Sequence, residues 1–176
     1  MRFKLTFFLL SLLVVSTMFQ ASLAQVPVFS EGSQAVTEKE VHQFVEDYKA
    51  RFIAMELDPL MALFSKDAME NRVLPYADIK AAYKKVIATS ESLSCKFDIY
   101  SINTYKQSAY VSGHYEAVQF FVDHPFVKIF EGDIQWFLVR EEGVLRIKDV
   151  NYGKNQWKTG IKVERPEQPI ILINSP

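Results

Sequence analysis

The chain has 176 residues, of which 49% are hydrophobic and 23% are charged, and its formal net charge is −1. With 14 Phe and 8 Tyr available for a core, this composition is typical of one folded globular domain. Because the charge is slightly negative and no basic run occurs, the sequence argues against nucleic acid and anionic membranes as partners.

The N-terminus has the three parts of a secretory signal peptide. Arg2 and Lys4 precede an apolar run from Leu5 to Met18, and Ala21-Ser22-Leu23-Ala24 supplies small residues at a cleavage site. The apolar run is shorter than the roughly 20 residues that a membrane-spanning helix needs. We therefore predict a signal peptide over residues 1–24 and an exported product, periplasmic or secreted, that is free of the membrane after cleavage.

The single cysteine and the three histidines predict neither a disulfide nor a metal site. Cys95 lies in an alternating apolar segment, which favours a buried and inert thiol over a nucleophile. His42, His114 and His124 lack the spacing of metal ligands. We expect no metal and no cofactor, and a fold stabilised by packing alone.

A leader over residues 25–36 contains Pro and Gly, shows no periodicity and is predicted to be a flexible tether. Thr37 followed by Glu40 then has the pattern of a capping box, in which each side chain would bond the backbone N–H of the other residue. Apolar residues at helical spacing, Tyr48 among them, continue this helix to about Leu57.

Two further helices follow before the sequence changes character. Asp58-Pro59 is typical of a helix start and predicts a second, short helix. After Pro75 helical spacing resumes and predicts a third helix to about Thr89. Between them the segment Ala68 to Leu74 is expected to be extended.

The remainder of the domain is predicted to be strand. The turn signals Lys106-Gln107-Ser108, Asp123-His124-Pro125 and Glu142-Gly143 separate long segments of strand composition. Connections this short require antiparallel neighbours. The predicted strands are Leu93 to Tyr105, Ala109 to Val122, Val127 to Glu141, and Val144 to Tyr152.

This order of elements resembles the nuclear-transport-factor-two-like superfamily, which includes SnoaL-like and ketosteroid isomerase-like proteins. The likeness rests on Tyr48, on the segment Glu56 to Ala68, and on the hairpin that begins at Gly132 and runs through Gly143 to Tyr152. It implies an α+β, cystatin-like cone, in which three N-terminal helices pack in the concave face of a strongly curved antiparallel sheet and the open end is a pocket.

The resemblance covers about Val41 to Tyr152. With the helix start at Thr37 included, we place the domain at residues 37–152 and leave residues 153–176 as a C-terminal extension. The apolar run Ile170 to Ile173 in this extension would be costly to leave in water. We therefore expect part of the extension to pack on the domain.

The resemblance also implies positions for a catalytic site. Tyr48 matches a first-helix tyrosine that forms an oxyanion hole in the ketosteroid isomerase-like members. The position of their catalytic base falls near Asn71 and Arg72, and neither side chain can accept a proton from carbon. Gln135 falls where a strand acid would be, and Asp133 shares its face of the strand.

Because a base is missing at the implied position, the sequence favours a pocket that binds a small apolar ligand without catalysis. The alternative without catalysis is an accessory role in an assembly. A carboxylate-bearing ligand remains open because Arg72 would stand near the pocket mouth. We therefore predict no ketosteroid isomerisation. The predicted pocket residues are Tyr48, Phe52, Arg72, Asp133, Gln135 and Phe137.

Two alternatives stay open. Tyr48 could be an ordinary core tyrosine on an amphipathic helix. The domain could also be an isomerase, dehydratase or cyclase that uses Tyr48 with an acid such as Asp133, Asp98 or Glu70, the last as a shifted base.

Side chains alternate between the two faces of a strand. If Gln135 and Phe137 face the pocket, their neighbours Ile134, Trp136 and Leu138 point to the outer face of the sheet. Such an apolar row would be costly to expose, so we expect a homodimer through it. The alternative is a reversed register, in which these three residues belong to the core.

Overall fold

The computed structural model describes residues 35–153 and 156–161, together with the backbone of Ile171–Ile173. The predicted signal peptide and residues 25–34 of the predicted leader lie outside the described residues. The helices are α1 (Glu38–Ile53), α2 (Leu57–Met61) and α3 (Tyr76–Ala88). The strands are β1 (Phe64–Glu70), β2 (Leu74–Pro75), β3 (Ser90–Thr104), β4 (Ser108–Phe121), β5 (Phe126–Glu141), β6 (Val144–Tyr152), β7 (Gln156–Ile161) and β8 (Ile171–Ile173).

The predicted α+β class is confirmed, with three helices packed against one curved sheet. The strands lie in the order β2-β1-β6-β5-β4-β3. All pairs are antiparallel except that of β1 with β6, which is parallel and which the sequence did not predict. Among the described residues, no helix has the length and apolar character needed to cross a membrane.

The start of α1 has the predicted capping box, and Glu40 makes a further contact across the domain. The Glu40 backbone N–H donates to Thr37 Oγ1 at 3.2 Å. The Glu40 carboxylate interacts in return with the Thr37 backbone, and it also accepts two hydrogen bonds from the Arg140 guanidinium, at 2.7 and 2.8 Å. This pair joins the first turn of α1 to the end of β5, which lies 100 residues further along the chain.

Both ends of the α1–α2 connection differ slightly from the prediction. Helix α1 ends at Ile53 instead of near Leu57, because the backbone turns at Met55, which has a positive φ of 56°. The N-cap position of α2 is Glu56 instead of Asp58, and the Glu56 side chain makes no capping hydrogen bond. Asp58 lies inside the first turn, where its carboxylate pairs with Lys80 of α3 at 2.8 Å.

The tight turns and the bends of the sheet follow from particular backbone positions. Glu142 and Gly143 both have positive φ, 52° and 83°, as the two central residues of a type I′ hairpin turn do. In β3 the register shifts between Ile99 and Ser101, opposite Gly113 of β4. A Cβ on Gly113 would lie 2.7 Å from the Asp98 carbonyl oxygen, so only glycine allows the two strands to approach this closely at the bulge.

The inner face of β5 is the reverse of the one predicted. Ile134, Trp136 and Leu138 are only 6%, 3% and 0% exposed and pack in the core against the helices. The proposal that they form an exposed dimer face is therefore wrong, and the reversed register holds. Side chains alternate between the two faces of a strand. Because the register of β5 differs by one residue from the predicted one, Gln135 and Phe137 lie on the outer face.

The sheet continues beyond Tyr152 into the C-terminal extension. Strand β7 pairs with the first half of β5, from Phe126↔Ile161 to Glu131↔Gln156. Strand β8 pairs in turn with β7. Part of the extension therefore packs on the domain, as its apolar composition predicted.

Candidate functional site

An apolar cavity of about 270 Å³ lies between α1, α3 and the inner face of the sheet. Most of the lining residues are aromatic or aliphatic, and those with a polar side-chain atom are four tyrosines, one glutamate and one cysteine. This composition is typical of a site for a small organic molecule. The lining residues are Tyr48, Phe52, Glu70, Ala82, Tyr83, Val86, Cys95, Phe97, Tyr115, Ala117, Phe130, Ile134 and Tyr152.

Two tyrosine hydroxyls meet at the wall formed by the helices. Tyr48 Oη and Tyr83 Oη lie 2.5 Å apart and share a hydrogen bond that joins α1 to α3. Tyr48 is 4% exposed, and its ring lies 4.9 Å from that of Trp136, centroid to centroid. Burial raises the pKa of both tyrosines well above the ordinary range, so both hydroxyls keep their protons and can donate hydrogen bonds.

A carboxyl group also reaches the cavity, from the last residue of β1. Of the described residues that line the cavity, Glu70 alone carries a carboxylate. Burial raises its pKa above the ordinary glutamate value, because the apolar wall disfavours the charged form. Burial is the main cause of the raised pKa of the four tyrosines of the wall, and the charge on Glu70 raises each of them further; they are Tyr48, Tyr83, Tyr115 and Tyr152.

The backbone beside Glu70 turns sharply to leave the site. Asn71 and Arg72 both have positive φ, 49° and 59°, and the Val73 N–H donates to the Glu70 carbonyl at 2.9 Å. Asn71 also contacts β6: its N–H donates to the Val150 carbonyl, and its Oδ1 accepts from the Tyr152 N–H, both at 2.8 Å. The ends of β1 and β6, which carry Glu70 and Tyr152, are thus tied together at the cavity.

The thiol of Cys95 forms part of the wall on β3. It is half-buried, and burial raises its pKa to about 11. At neutral pH this thiol therefore stays protonated, which makes it a poor nucleophile. Among the described residues, no group of three or more His, Cys, Asp or Glu side chains could hold a metal ion.

The structure brings together only two of the predicted pocket residues. Tyr48 and Phe52 lie on the cavity wall, one α-helical turn apart. Arg72 is exposed in the β1–β2 turn and is not among the lining residues. Its assignment to the pocket was wrong because the chain has already turned away from the cavity after Glu70.

The β5 members of the predicted pocket lie on the outer face of the sheet. Gln135 and Asp133 are exposed, and Asp133 Oδ1 lies 3.4 Å from Nδ1 of His114 on the neighbouring strand. Phe137 stacks on Tyr110 with ring centroids 4.6 Å apart, also on that face. These three assignments fail together, because all of them followed from the same error of one residue in the register of β5.

Three tyrosines of the site were not predicted as site residues. Tyr83 belongs to the apolar stripe of α3 and Tyr115 to the inward alternation of β4, where each has the pattern of a core residue. Tyr152 ends β6 and carries no local signal. The signal that could have identified this site in the sequence is a combination of features. It consists of tyrosines at inward positions on several elements and one acid at the end of a strand.

Comparison of the fold with solved structures identifies its class. A candidate scytalone dehydratase from Novosphingobium aromaticivorans matches with a TM-score of 0.58 and 14% identity, over 78% of this chain and 93% of that one. A nuclear transport factor 2-like protein from Salmonella enterica matches at 0.57 and 16%, over 65% and 88%. A ketosteroid isomerase-like protein from Erwinia carotovora matches at 0.53 and 13%, over 66% and 96%.

These matches confirm the predicted resemblance at the level of the fold: the domain has the nuclear-transport-factor-two-like fold. No protein-family model matches the chain, and no curated protein matches it in sequence. One fold hosts many functions, so the function has to be argued from the cavity itself.

Proposed function

We propose that the domain binds a small, flat, neutral molecule, largely apolar and bearing one hydroxyl or carbonyl group. The observation that carries this proposal is the cavity wall, in which seven of the thirteen lining residues are aromatic and the polar side chains include four tyrosines and Glu70. Aromatic walls favour flat rings, and the few polar atoms would orient the ligand's oxygen.

The charge of the wall favours a neutral ligand over a carboxylate. None of the described residues that line the cavity is Lys or Arg, whereas Glu70 is present. A ligand carboxylate would lose its hydration without gaining a cation, which is costly in an apolar site. The exposed position of Arg72 removes the reason for expecting a carboxylate-bearing ligand.

A matched pair of fluorescent probes tests the ligand class. 2-Naphthol is neutral and 2-naphthoate is anionic at neutral pH, and the two have the same fused rings. We expect 2-naphthol to bind and 2-naphthoate to bind at least about tenfold more weakly. Arg72→Gln should leave both affinities unchanged, because the guanidinium is outside the cavity. Equal or tighter binding of 2-naphthoate would contradict the neutral ligand class.

A second candidate function is proton transfer at carbon, and the specific observation that favours it is Glu70 itself. An acid whose pKa is raised toward neutrality can act as a general base or acid, and tyrosine hydroxyls beside it can stabilise an oxyanion. We predicted no ketosteroid isomerisation because no base was found at the position that the resemblance implies. That reason does not hold for a cavity that contains Glu70.

The second candidate is tested with 2-tetralone, a two-ring ketone, in deuterated water. The Glu70 carboxylate would take a proton from the carbon beside the carbonyl, the bonding electrons would move onto the oxygen, and a solvent-exchanged deuteron would return to carbon. We expect NMR to show faster deuterium incorporation with the wild type than with Glu70→Gln. Glu116→Gln, on the exposed outer face, is the matched control. Equal rates for the wild type and Glu70→Gln would exclude this chemistry for 2-tetralone.

Export and dimer formation complete the proposal. The composition of residues 1–24 supports export through a signal peptide. A homodimer remains a proposal, and it would have to use a surface other than the buried row Ile134, Trp136 and Leu138. The mass of the mature chain, measured by mass spectrometry, tests whether the signal peptide is removed. Light scattering at micromolar concentration tests whether a homodimer forms.

A further inference from the structure

Asn71 occupies a position that none of the preceding roles explains. Its side chain does not line the cavity, yet it follows Glu70 directly and binds the backbone of Tyr152. Glu70 and Tyr152 each contribute a polar side chain to the cavity. The turn also demands a positive φ of 49° at this position, which Asn tolerates better than most other residues.

The contacts of Asn71 extend the pairing of two strands by one step. Parallel strands β1 and β6 are in register at Met69↔Asp149 and Glu70↔Val150. Beyond that point the Asn71 N–H donates to the Val150 carbonyl, and Asn71 Oδ1 accepts the Tyr152 N–H, so backbone and side chain together close the end of the pair. Without Oδ1, the last residue of β6 would lose the acceptor that holds its backbone against β1.

We infer that Asn71 is a positioning residue, which fixes the Glu70 carboxyl relative to the Tyr152 hydroxyl by joining the ends of β1 and β6. This inference rests on the proposed ligand site, because the spacing of these two groups matters for a ligand that contacts both. The titratable groups that share the cavity with Glu70 come from five elements: Tyr48 of α1, Tyr83 of α3, Cys95 of β3, Tyr115 of β4 and Tyr152 of β6.

Substitution by glycine isolates the side-chain contact. Asn71→Gly keeps the positive φ and the backbone bond to Val150 but removes Oδ1. The matched control is Arg72→Gly, because Arg72 also has a positive φ and its side chain is exposed. Asn71→Asp is the rescue variant, since it retains an acceptor oxygen and tolerates the same backbone conformation.

The first readout needs no ligand: the titration of the Glu70 carboxyl carbon, followed by NMR in isotopically labelled protein. In Asn71→Gly the loosened strand ends admit water, so the midpoint should fall toward the ordinary glutamate value by at least about half a pH unit. In Arg72→Gly it should not move. A midpoint that is equal in Asn71→Gly and Arg72→Gly would overturn the inference, even if both variants lose some stability.

The second readout is the affinity for 2-naphthol, which separates this inference from the proposed function. We expect Asn71→Gly to lose about fivefold in affinity, and Arg72→Gly and Asn71→Asp to stay within about twofold to threefold of the wild type. If the Glu70 midpoint moves only in Asn71→Gly but no protein binds 2-naphthol, the positioning role stands and the ligand class fails. If the wild type binds 2-naphthol and Asn71→Gly binds it equally well, the positioning role is overturned and the ligand class stands.

Discussion

The hydroxyls of Tyr48 and Tyr83, which lie 35 residues apart in the chain, are separated by 2.5 Å at the wall of the cavity. Tyr83 is also hydrogen bonded to the Tyr152 side chain, so two of the three hydroxyl protons are used among these tyrosines and one remains for a further acceptor. Because all three groups are protonated at ordinary pH, the three hydroxyls offer a donor to a ligand oxygen and cannot offer a negative charge. This polarity agrees with a neutral ligand that carries a hydroxyl or carbonyl group.

Removing both hydroxyls of the Tyr48–Tyr83 pair should cost less than the sum of the losses from removing each one alone. Tyr83→Phe leaves the buried Tyr48 hydroxyl without its partner, and we expect the free energy of unfolding to fall by about 1–3 kcal/mol. The double variant Tyr48→Phe/Tyr83→Phe should lose clearly less than the sum of the two single variants. Urea unfolding of the four proteins measures this cycle, and strictly additive losses would show that the hydroxyls do not depend on each other.

The stability of the protein should depend on pH through Glu70. Because burial raises its folded-state pKa above 4.5, the native protein holds a proton that the unfolded chain has already released. Stability from this group is therefore present at low pH and is lost as pH rises through the raised pKa. Glu70→Gln should gain stability relative to the wild type over that interval, as followed by urea unfolding at several pH values. Glu116→Gln should show no such trend, and identical trends for both variants would contradict the burial of Glu70.

The single cysteine provides an independent probe of the cavity wall. With a thiol pKa of about 11, Cys95 should react slowly with iodoacetamide at neutral pH in the native protein. The unfolded chain in urea should react at the rate of an ordinary thiol, and saturating 2-naphthol should slow the native reaction further. Native labelling as fast as that of the unfolded chain would show that the wall around Cys95 is open to solvent.

Trp136 distinguishes the two faces of β5. Since it is 3% exposed and packs against Tyr48 and Phe97, Trp136→Glu should unfold the domain, with a loss above about 4 kcal/mol. Gln135→Glu, one residue earlier on the exposed face, should change stability by less than about 0.5 kcal/mol. Circular dichroism and urea unfolding measure both. A folded, monomeric Trp136→Glu variant would mean that Trp136 lies on a surface after all.

Local sequence patterns predicted the elements of this fold well, for physical reasons that can be named. The stripe that contains Tyr48 and the cap at Thr37 define α1, because both depend on residues within one or two helical turns. The turn at Glu142 and Gly143 was equally local, since its backbone conformation is set by those two residues. The bidentate pair of Glu40 with Arg140 was not predictable, because 100 residues separate its partners.

The candidate site was harder to predict because it depends on register. Along β5 the alternation between Trp136 and Gln135 fits either face until the strand is aligned with its neighbours, so an error of one residue exchanged the inner and outer sets. At the end of β1 the distance between Glu70 and Arg72 is only two residues, yet a turn with two positive φ values separates the cavity from solvent there. Such turns are a tertiary feature that spacing alone does not reveal.

The most direct test of the ligand site is calorimetric titration of 2-naphthol into the wild type, Ala82→Trp and Ala81→Trp. Both alanines are exposed neighbours on α3, but only Ala82 lines the cavity. We predict a dissociation constant of roughly 0.1 mM or tighter for the wild type and Ala81→Trp, and at least about tenfold weaker binding for Ala82→Trp, whose indole would fill the site. Equal affinity in Ala82→Trp and Ala81→Trp, or no binding to the wild type, would contradict the assignment of this cavity as the site for a neutral aromatic ligand.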